Sequence, residues 1–178
     1  MKICDTVNSK LYKNDRAILH SDCNCFYASV ECLLNPNIRD LPVAVSGDAE
    51  NRHGIILAKN EEAKKYNIKT GEAIWQAKKK CPQLLTVPAR LDVYKKFSDK
   101  VRRIYSDYTD MVESFGLDEA WLDISEDYKN DAHTIAKEIS QRVKDEIGIT
   151  VSIGVSFNKI FAKFGSDYKK PDAITCIT

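Results

Sequence analysis

The sequence predicts an α+β fold, a ferredoxin-like domain (βαββαβ) with a small α/β subdomain inserted into it. Three observations carry this. Short apolar runs with strand character alternate with segments of helical period. With residues 35–88 set aside, the chain reads strand, helix, strand, strand, helix, strand, which is the ferredoxin-like order. The segment set aside has its own strands and helices, closed by Leu84-Leu85-Thr86-Val87-Pro88.

Residues 1–15 are polar and read as a loosely ordered N-terminal arm. Residues 16–21 are apolar and form a buried strand. A helix follows over 25–34 and stops near Asn35-Pro36, because a residue before proline is pushed out of helical backbone. Pro42 to Gly47 is a strand running into a polar loop over 47–53, and Gly54 to Ala58 is another short strand. Two short helices lie near 59–66 and 73–80, parted by Lys69-Thr70-Gly71. Residues 90–110 form a long amphipathic helix, since Val93, Phe97, Val101, Ile104 and Tyr108 recur at steps of three or four. Strands at 111–116 and 119–124 are joined by a tight turn. A helix over 131–147 places Ile135, Ile139 and Val143 on one face. A strand at 149–155, a helix at 158–168 and a strand at 173–177 complete the chain. There is no internal repeat and no low-complexity segment.

The 178 residues, 43% of them hydrophobic, suffice for one domain or two small ones. The net charge of +1 does not by itself announce a nucleic-acid binder. Local charge says more: seven lysines stand against three glutamates between 59 and 80, and four lysines against one aspartate between 158 and 170. Such segments favour polyanions, although a lysine run taken alone also reads as a solvated helix face. The six cysteines form no CxxC pair, and His20, His53 and His133 are scattered without zinc-ligand spacing. The cysteines read as reduced packing residues of an intracellular protein. No apolar run reaches membrane-spanning length and no signal-peptide region is present, so the expected location is cytoplasmic.

The most informative stretch is Gly116-Leu117-Asp118-Glu119-Ala120-Trp121-Leu122-Asp123, with two adjacent carboxylates between apolar residues. Upstream, Ile18-Leu19-His20-Ser21 ends on a third, Asp22. Each acid alone also reads as a turn or strand-end residue. In the ferredoxin-like order, however, the first and third strands are antiparallel central neighbours. The end of the first then lies beside the turn that precedes the third, which brings Asp22 next to Asp118 and Glu119. Three carboxylates so gathered could hold two divalent metals, the core of a phosphoryl-transfer site.

Four blocks in order extend this reading: Asp22-Cys23-Asn24-Cys25-Phe26-Tyr27-Ala28-Ser29-Val30-Glu31, the segment 54–82, the Asp-Glu block at 113–125, and the block at 151–172 with Asn158-Lys159, Ala162-Lys163 and Lys170-Pro171. In these blocks the chain resembles the Y-family (translesion) DNA polymerases, from about residue 16 to its end. The resemblance implies a palm over 16–34 and 89–178 and fingers over 35–88. It implies two Mg²⁺ ions (Mn²⁺ substituting), held by Asp22, Asp118, Glu119 and the backbone carbonyl of Cys23. The reaction implied is attack of a primer 3′-hydroxyl on a deoxynucleoside triphosphate, directed by a DNA template.

By the same resemblance Tyr27 is a steric gate against the ribose 2′-hydroxyl, with Phe26 beside it, though both also read as core aromatics of their helix. Lys170 and Lys64 would contact the triphosphate, Ile55 and Leu57 would line the nascent base pair, and Lys159 and Lys163 would serve DNA phosphates or the surface. Two departures stand out. Glu61 and Lys64 occupy places where many members carry Tyr and Arg, so the bidentate fork is missing; Glu61 is expected to point elsewhere, with Lys59 or Arg52 compensating. Asn24 stands where many members have a second Asp. Thumb and little-finger domains, and a sliding-clamp contact beyond them, do not fit within 178 residues, so a catalytic-core fragment with weak activity is expected. Other readings are a palm-fold nucleotide cyclase and a non-catalytic DNA-binding or interaction remnant of a polymerase.

Overall fold

A computed structural model describes residues 3–4, 16–47, 54–126 and 132–178. In chain order the elements are β1 (Ile3–Cys4), β2 (Ile18–Cys23), α1 (Phe26–Leu34), a 3₁₀ turn at Pro36–Ile38, β3 (Val43–Ser46), β4 (Ile56–Lys59), α2 (Glu61–Lys64), α3 (Ile74–Lys80), β5 (Leu85–Pro88) and α4 (Leu91–Ser106). Then come β6 (Val112–Phe115), β7 (Glu119–Asp123), α5 (Ala132–Arg142) closed by a π turn at Val143–Ile147, β8 (Val151–Ser156), α6 (Lys159–Tyr168) and β9 (Ile174–Ile177). The described residues fall into two compact units, one up to Asn24 together with those from Lys95 onward, the other Cys25–Tyr94; one division lies within α4.

The first unit is built on one sheet in the order β1-β9-β8-β2-β7-β6. The four strands β8-β2-β7-β6 are the fourth, first, third and second of the βαββαβ order; β2 is antiparallel to β7, as the sequence predicts, and also to β8. All six residues of β2 and all six of β8 are buried, as central strands require. β9 extends the sheet parallel to β8. β1 adds an antiparallel edge through Ile3↔Ile177 and Cys4↔Cys176, a strand inside the segment expected to be a loose arm. The rest of that arm, the tip of the 47–53 loop, Arg52 and His53 lie outside the described residues.

α6 packs on β8, β2 and β9, and it does so closely because of glycine. A Cβ on Gly154 in β8 would sit 1.8 Å from the Ala162 carbonyl oxygen and 2.5 Å from the Ser166 nitrogen. Gly165 of α6 rests on Gly154 in turn, its own Cβ position 3.1 Å from the Gly154 Cα. The β6–β7 turn relies on Gly116 at φ 71, a left-handed conformation that side chains disfavour.

The second unit holds a three-stranded sheet, β4-β3-β5, with β3 antiparallel to β4 and parallel to β5. Alternation along β3 separates two clusters. Val43 packs with Cys32 of α1 and Ile38, while Ala44 packs with Ile56, Ala63, Ile68, Ala77, Cys81 and Leu84. The expected inserted segment, 35–88, is thus joined structurally by α1, whose Cys32 packs on β3. Trp75 of α3 is half exposed with Lys79 over its ring at 4.7 Å.

Element ends differ from expectation for local reasons. α2 begins only at Glu61 because β4 continues to Lys59 and Asn60 caps the helix, its Oδ1 accepting from Ala63 N at 3.0 Å. α4 ends at Ser106, whose hydroxyl bonds back to the Arg102 carbonyl, and Tyr108 N turns onto the Tyr105 carbonyl.

Candidate active site

β2 places its side chains on two faces. Ser21 faces Tyr105 of α4, whose hydroxyl donates to Ser21 Oγ at 2.8 Å. His20 and Asp22 face α6 and the turn after it. Asp22 pairs across the sheet with Glu119, and Cys23 N donates to the Asp118 carbonyl at 2.9 Å. The three carboxylate residues are therefore neighbours, as the strand order requires.

Lysines attend two of the three acids. Lys170 Nζ lies 2.5 Å from Asp22 Oδ2 and 2.7 Å from Asp167. Glu119 Oε2 accepts from Lys163 Nζ and lies 3.1 Å from His20 Nε2. Lys163 and Ser166, one helical turn apart on α6, both reach this corner. The lysine pairs leave an acid-rich strand end largely neutralised by α6 and the residues after it. Among the described residues no three His, Cys, Asp or Glu side chains are drawn closely enough together to hold an ion as they stand.

The electrostatics are those of desolvated acids. Burial pushes Asp22 up to about 6, against the pull of Lys170 and with Glu119 and Asp118 adding repulsion. Asp118 is raised by burial, with Glu119 adding to the shift. Burial and then Lys163 push His20 down to about 4, although Glu119 draws it up, so the ring is neutral. Burial lowers Lys170, but its pairing with Asp167 and Asp22 outweighs this and raises it overall. Asp22 and Asp118, oxygen donors whose ionisation is disfavoured by burial, suit a hard divalent ion such as Mg²⁺.

Other predicted residues fall as follows. Cys23 is buried and its thiol is pushed up by burial, so only its backbone is available for chemistry. Asn24 donates to Thr150 Oγ1 at 3.0 Å and accepts from Ser152 Oγ at 2.8 Å, an amide that ties β2 to β8. Lys159 pairs with Glu113 at 2.5 Å and sits 4.7 Å over the Trp121 ring.

In the second unit Phe26 is buried, whereas Tyr27 is half-buried and stacks on Tyr94 with ring centroids 4.3 Å apart. Tyr94 is fully buried; its hydroxyl donates to Glu31 at 2.7 Å, and Arg90 binds both oxygens of Glu31. Ile55 is exposed and Leu57 half-buried, on the face of β4 opposite Ile56. Glu61, expected to point away from a triphosphate, is held by Lys64. The two pair at 2.7 Å, because three residues' spacing in a helix brings them together, and Cys25 Sγ donates to the same Glu61 oxygen at 3.2 Å. Lys59 bonds Thr70 at 3.1 Å and is lowered by burial and Lys64.

Sequence reasoning missed His20, Ser166, Tyr94, Glu31 and Arg90. One signal was present: His20 stands two residues before Asp22 in a strand and so shares its face.

The chain is similar to known proteins. The model of the impB/mucB/samB family matches residues 21–167. DNA polymerase IV of Acetivibrio thermocellus is 62% identical over 165 residues, which cover 92% of this chain and 41% of that protein. DNA polymerase IV of Clostridium perfringens (strain 13) is 44% identical over 168 residues, 93% of this chain and 46% of the other. Among solved structures, DinB from Sulfolobus solfataricus superposes with a TM-score of 0.86 at 31% identity, over 90% of this chain and 48% of that one. An insertion ternary complex of Dbh DNA polymerase gives 0.87 at 30% identity, over 91% and 48%. The chain spans less than half the length of these relatives. With a family model matched over most of its length and folds this alike, the chain belongs to the impB/mucB/samB family, that of the Y-family DNA polymerases.

Proposed function

We propose that this chain is the palm (16–34 and 89–178) and fingers (35–88) of a template-directed DNA polymerase of the lesion-bypass type. It would transfer a nucleotide from a deoxynucleoside triphosphate to a primer 3′-hydroxyl, at bacterial DNA in the cytoplasm. The single observation that carries this reading is the cross-strand pairing of Asp22 with Glu119 beside Asp118. Nothing about a ferredoxin-like sheet requires three acids at the ends of its central strands, where two of them are buried against their own ionisation.

Two Mg²⁺ ions, with Mn²⁺ able to substitute, would be held by Asp22, Asp118, Glu119 and the Cys23 carbonyl. When bound they lower the pKa of the attacking hydroxyl and balance the charge of the leaving pyrophosphate. The chain's own residues do the rest. Lys170 exchanges its contact with Asp22 for the triphosphate, as a point charge. Tyr27, braced by Tyr94, lies against the sugar and excludes a 2′-hydroxyl, with Phe26 as its buried support. Ile55 and Leu57 line the nascent base pair. Lys64 contributes little while Glu61 holds it, which leaves Lys59 or Arg52 to supply the positive charge. Lys159 and Lys163 face DNA phosphates. A sliding clamp would engage parts of the protein outside this chain. Among the described residues no helix is long and apolar enough to cross a membrane.

The test replaces the corresponding region of the Acetivibrio thermocellus polymerase with this chain and measures primer extension with Mg²⁺. Extension is expected, and Asp118→Ala should abolish it while leaving the melting temperature within a few degrees. Extension at the parent rate by the Asp118→Ala chimera would refute the site. A cyclic nucleotide formed without template would favour a cyclase, and a folded chimera that binds DNA without extending it would favour the non-catalytic reading.

A further inference from the structure

His20 is fully buried, two residues before Asp22 in β2, and no role in the proposed chemistry uses it. Its two ring nitrogens connect two groups. Nδ1 lies 2.7 Å from Ser166 Oγ, and Nε2 lies 3.1 Å from Glu119 Oε2. Ser166 Oγ is also 2.8 Å from the Lys163 carbonyl oxygen, and its single proton can go to only one of the two. If it went to Lys163, Nδ1–H would donate to the serine. A bare Nε2 would then face a carboxylate oxygen, two lone pairs opposed in a buried site. A doubly protonated ring would set a second cation beside Lys163, out of water. The remaining arrangement satisfies every atom: Ser166 O–H donates to Nδ1, and Nε2–H donates to Glu119.

The sequence builds this contact deliberately at one place. Gly154 is the residue of β8 directly opposite His20. With no side chain there, the backbone of α6 sits on the sheet at Ala162 and Ser166, and the serine hydroxyl reaches the ring. Trp121, the β7 residue opposite His20, tilts its ring onto the imidazole at 4.8 Å between centroids and holds its plane. Both donors, His20 and Lys163, converge on Oε2, and among the described residues no donor is bonded to Oε1.

We infer that Ser166 and His20 form a hydrogen-bond relay that positions Glu119, fixing its carboxylate by Oε2 so that Oε1 is presented to a divalent cation. That Glu119 takes a cation rests on the polymerase reading; the relay itself rests on the geometry. His20 is a positioning residue that acts through Glu119. Lys163 supplies charge to the same oxygen, but only the ring has a fixed direction.

Two measurements on the 178-residue chain test this. The first is ¹⁵N imidazole NMR of the metal-free wild type. The expected result is His20 protonated on Nε2 with Nδ1 a bare acceptor, its signal moving in Ser166→Ala; a proton resident on Nδ1 would overturn the relay. The second is Mn²⁺ affinity by electron paramagnetic resonance. His20→Phe keeps a ring and removes both nitrogens, whereas His20→Gln keeps an amide donor near the Nε2 position. Loss of an outer-shell partner costs about 10- to 100-fold in metal affinity, so His20→Phe should fall by about tenfold or more and His20→Gln by about threefold or less. Equal affinity of wild type and folded His20→Phe would overturn the proposal. So would a His20→Gln as weak as His20→Phe, since a donor returned near the Nε2 position would then restore nothing. Should His20→Phe fail to fold, Ser166→Ala takes its place, with a loss of about threefold or more expected and unchanged affinity overturning the relay. A wild type that binds no Mn²⁺ would sink the metal reading, while the tautomer would still decide the relay.

Discussion

An ionised Asp22 works against the folded state. Its side chain is 11% exposed, and burial lifts its pKa from 3.8 to about 6 even with Lys170 in contact. A shift of about two units is worth about 3 kcal/mol between the protonation states. Below about pH 4 the acid is protonated folded and unfolded alike and the term is absent. As pH rises through about 6 the folded state is left with the cost. Asp22→Asn should therefore stabilise the metal-free chain by about 1–3 kcal/mol at pH 8, and by much less at pH 4, while abolishing any rise in melting temperature on adding Mg²⁺. Thermal melts across pH check this; a variant less stable than wild type at pH 8 would mean that the Lys170 pair supports the fold.

Tyr27→Ala in the chimera should raise ribonucleotide incorporation relative to deoxynucleotide by about 10- to 100-fold, the range of a steric exclusion. Single-nucleotide extension with matched pairs reads it, and an unchanged preference would return Tyr27 to a packing role. At this scale the acids were legible in the sequence because strand order alone makes Asp22 and Glu119 neighbours. The Glu61–Lys64 pairing follows from their spacing of three, yet two lysine-rich turns offer several partners and sequence does not choose among them. His20 was passed over because it was weighed as a zinc ligand rather than as the second residue before an acid in the same strand.

Elements were legible wherever period and punctuation agreed. The period of α4 and the proline after α1 each have a local physical cause, and the helix and the helix end they announce are found. What sequence did not reveal is how closely elements pack. Nothing in a lone Gly-Val pair announces that α6 lies on Gly154 at backbone distance. Gly154→Ala places a methyl 1.8 Å from a carbonyl oxygen that belongs to backbone and cannot turn aside. Lifting α6 should cost about 1–3 kcal/mol or more and also separate Ser166 from His20, so Mn²⁺ affinity should fall together with stability. Denaturant melts and metal titration check it, and a Gly154→Ala chain of wild-type stability would show that the helix can slide. In the other unit Asn60 is the joint. Its Oδ1 accepts from Ala63 N and Val43 N at 3.0 Å each, and its Nδ2 donates to the Leu41 carbonyl at 2.7 Å. Asn60→Ala would leave buried groups without partners and should destabilise that unit by about 1–3 kcal/mol, measured by hydrogen exchange at Ala63 and Val43.

For the molecule as a whole, the fold class was legible because a single inserted segment interrupts an otherwise regular order. The boundaries were less so: α1 packs on β3 through Cys32, a contact between segments that no local pattern encodes. DNA affinity belongs to this scale too. The net charge is +1, and several lysines of the 59–80 and 158–170 segments are engaged with acids, as in Lys64–Glu61, Lys163–Glu119 and Lys170–Asp22. Phosphate contacts dominate such binding and weaken steeply with salt. The 178-residue chain should thus bind primer-template at least about tenfold more weakly at 150 mM salt than the whole Acetivibrio thermocellus polymerase. Fluorescence anisotropy decides it, and equal affinities would place the whole grip within this chain. The placement of the two tryptophans has a practical consequence. Trp75 and Trp121 are the only ones in the sequence, and one belongs to each compact unit. Each unit thus carries a single tryptophan, quenched or shifted by its own surroundings: a lysine over Trp75, a lysine and a buried imidazole against Trp121. Replacing either by phenylalanine turns the emission of the other into an optical record of one unit alone, so their unfolding can be timed separately without attaching a label.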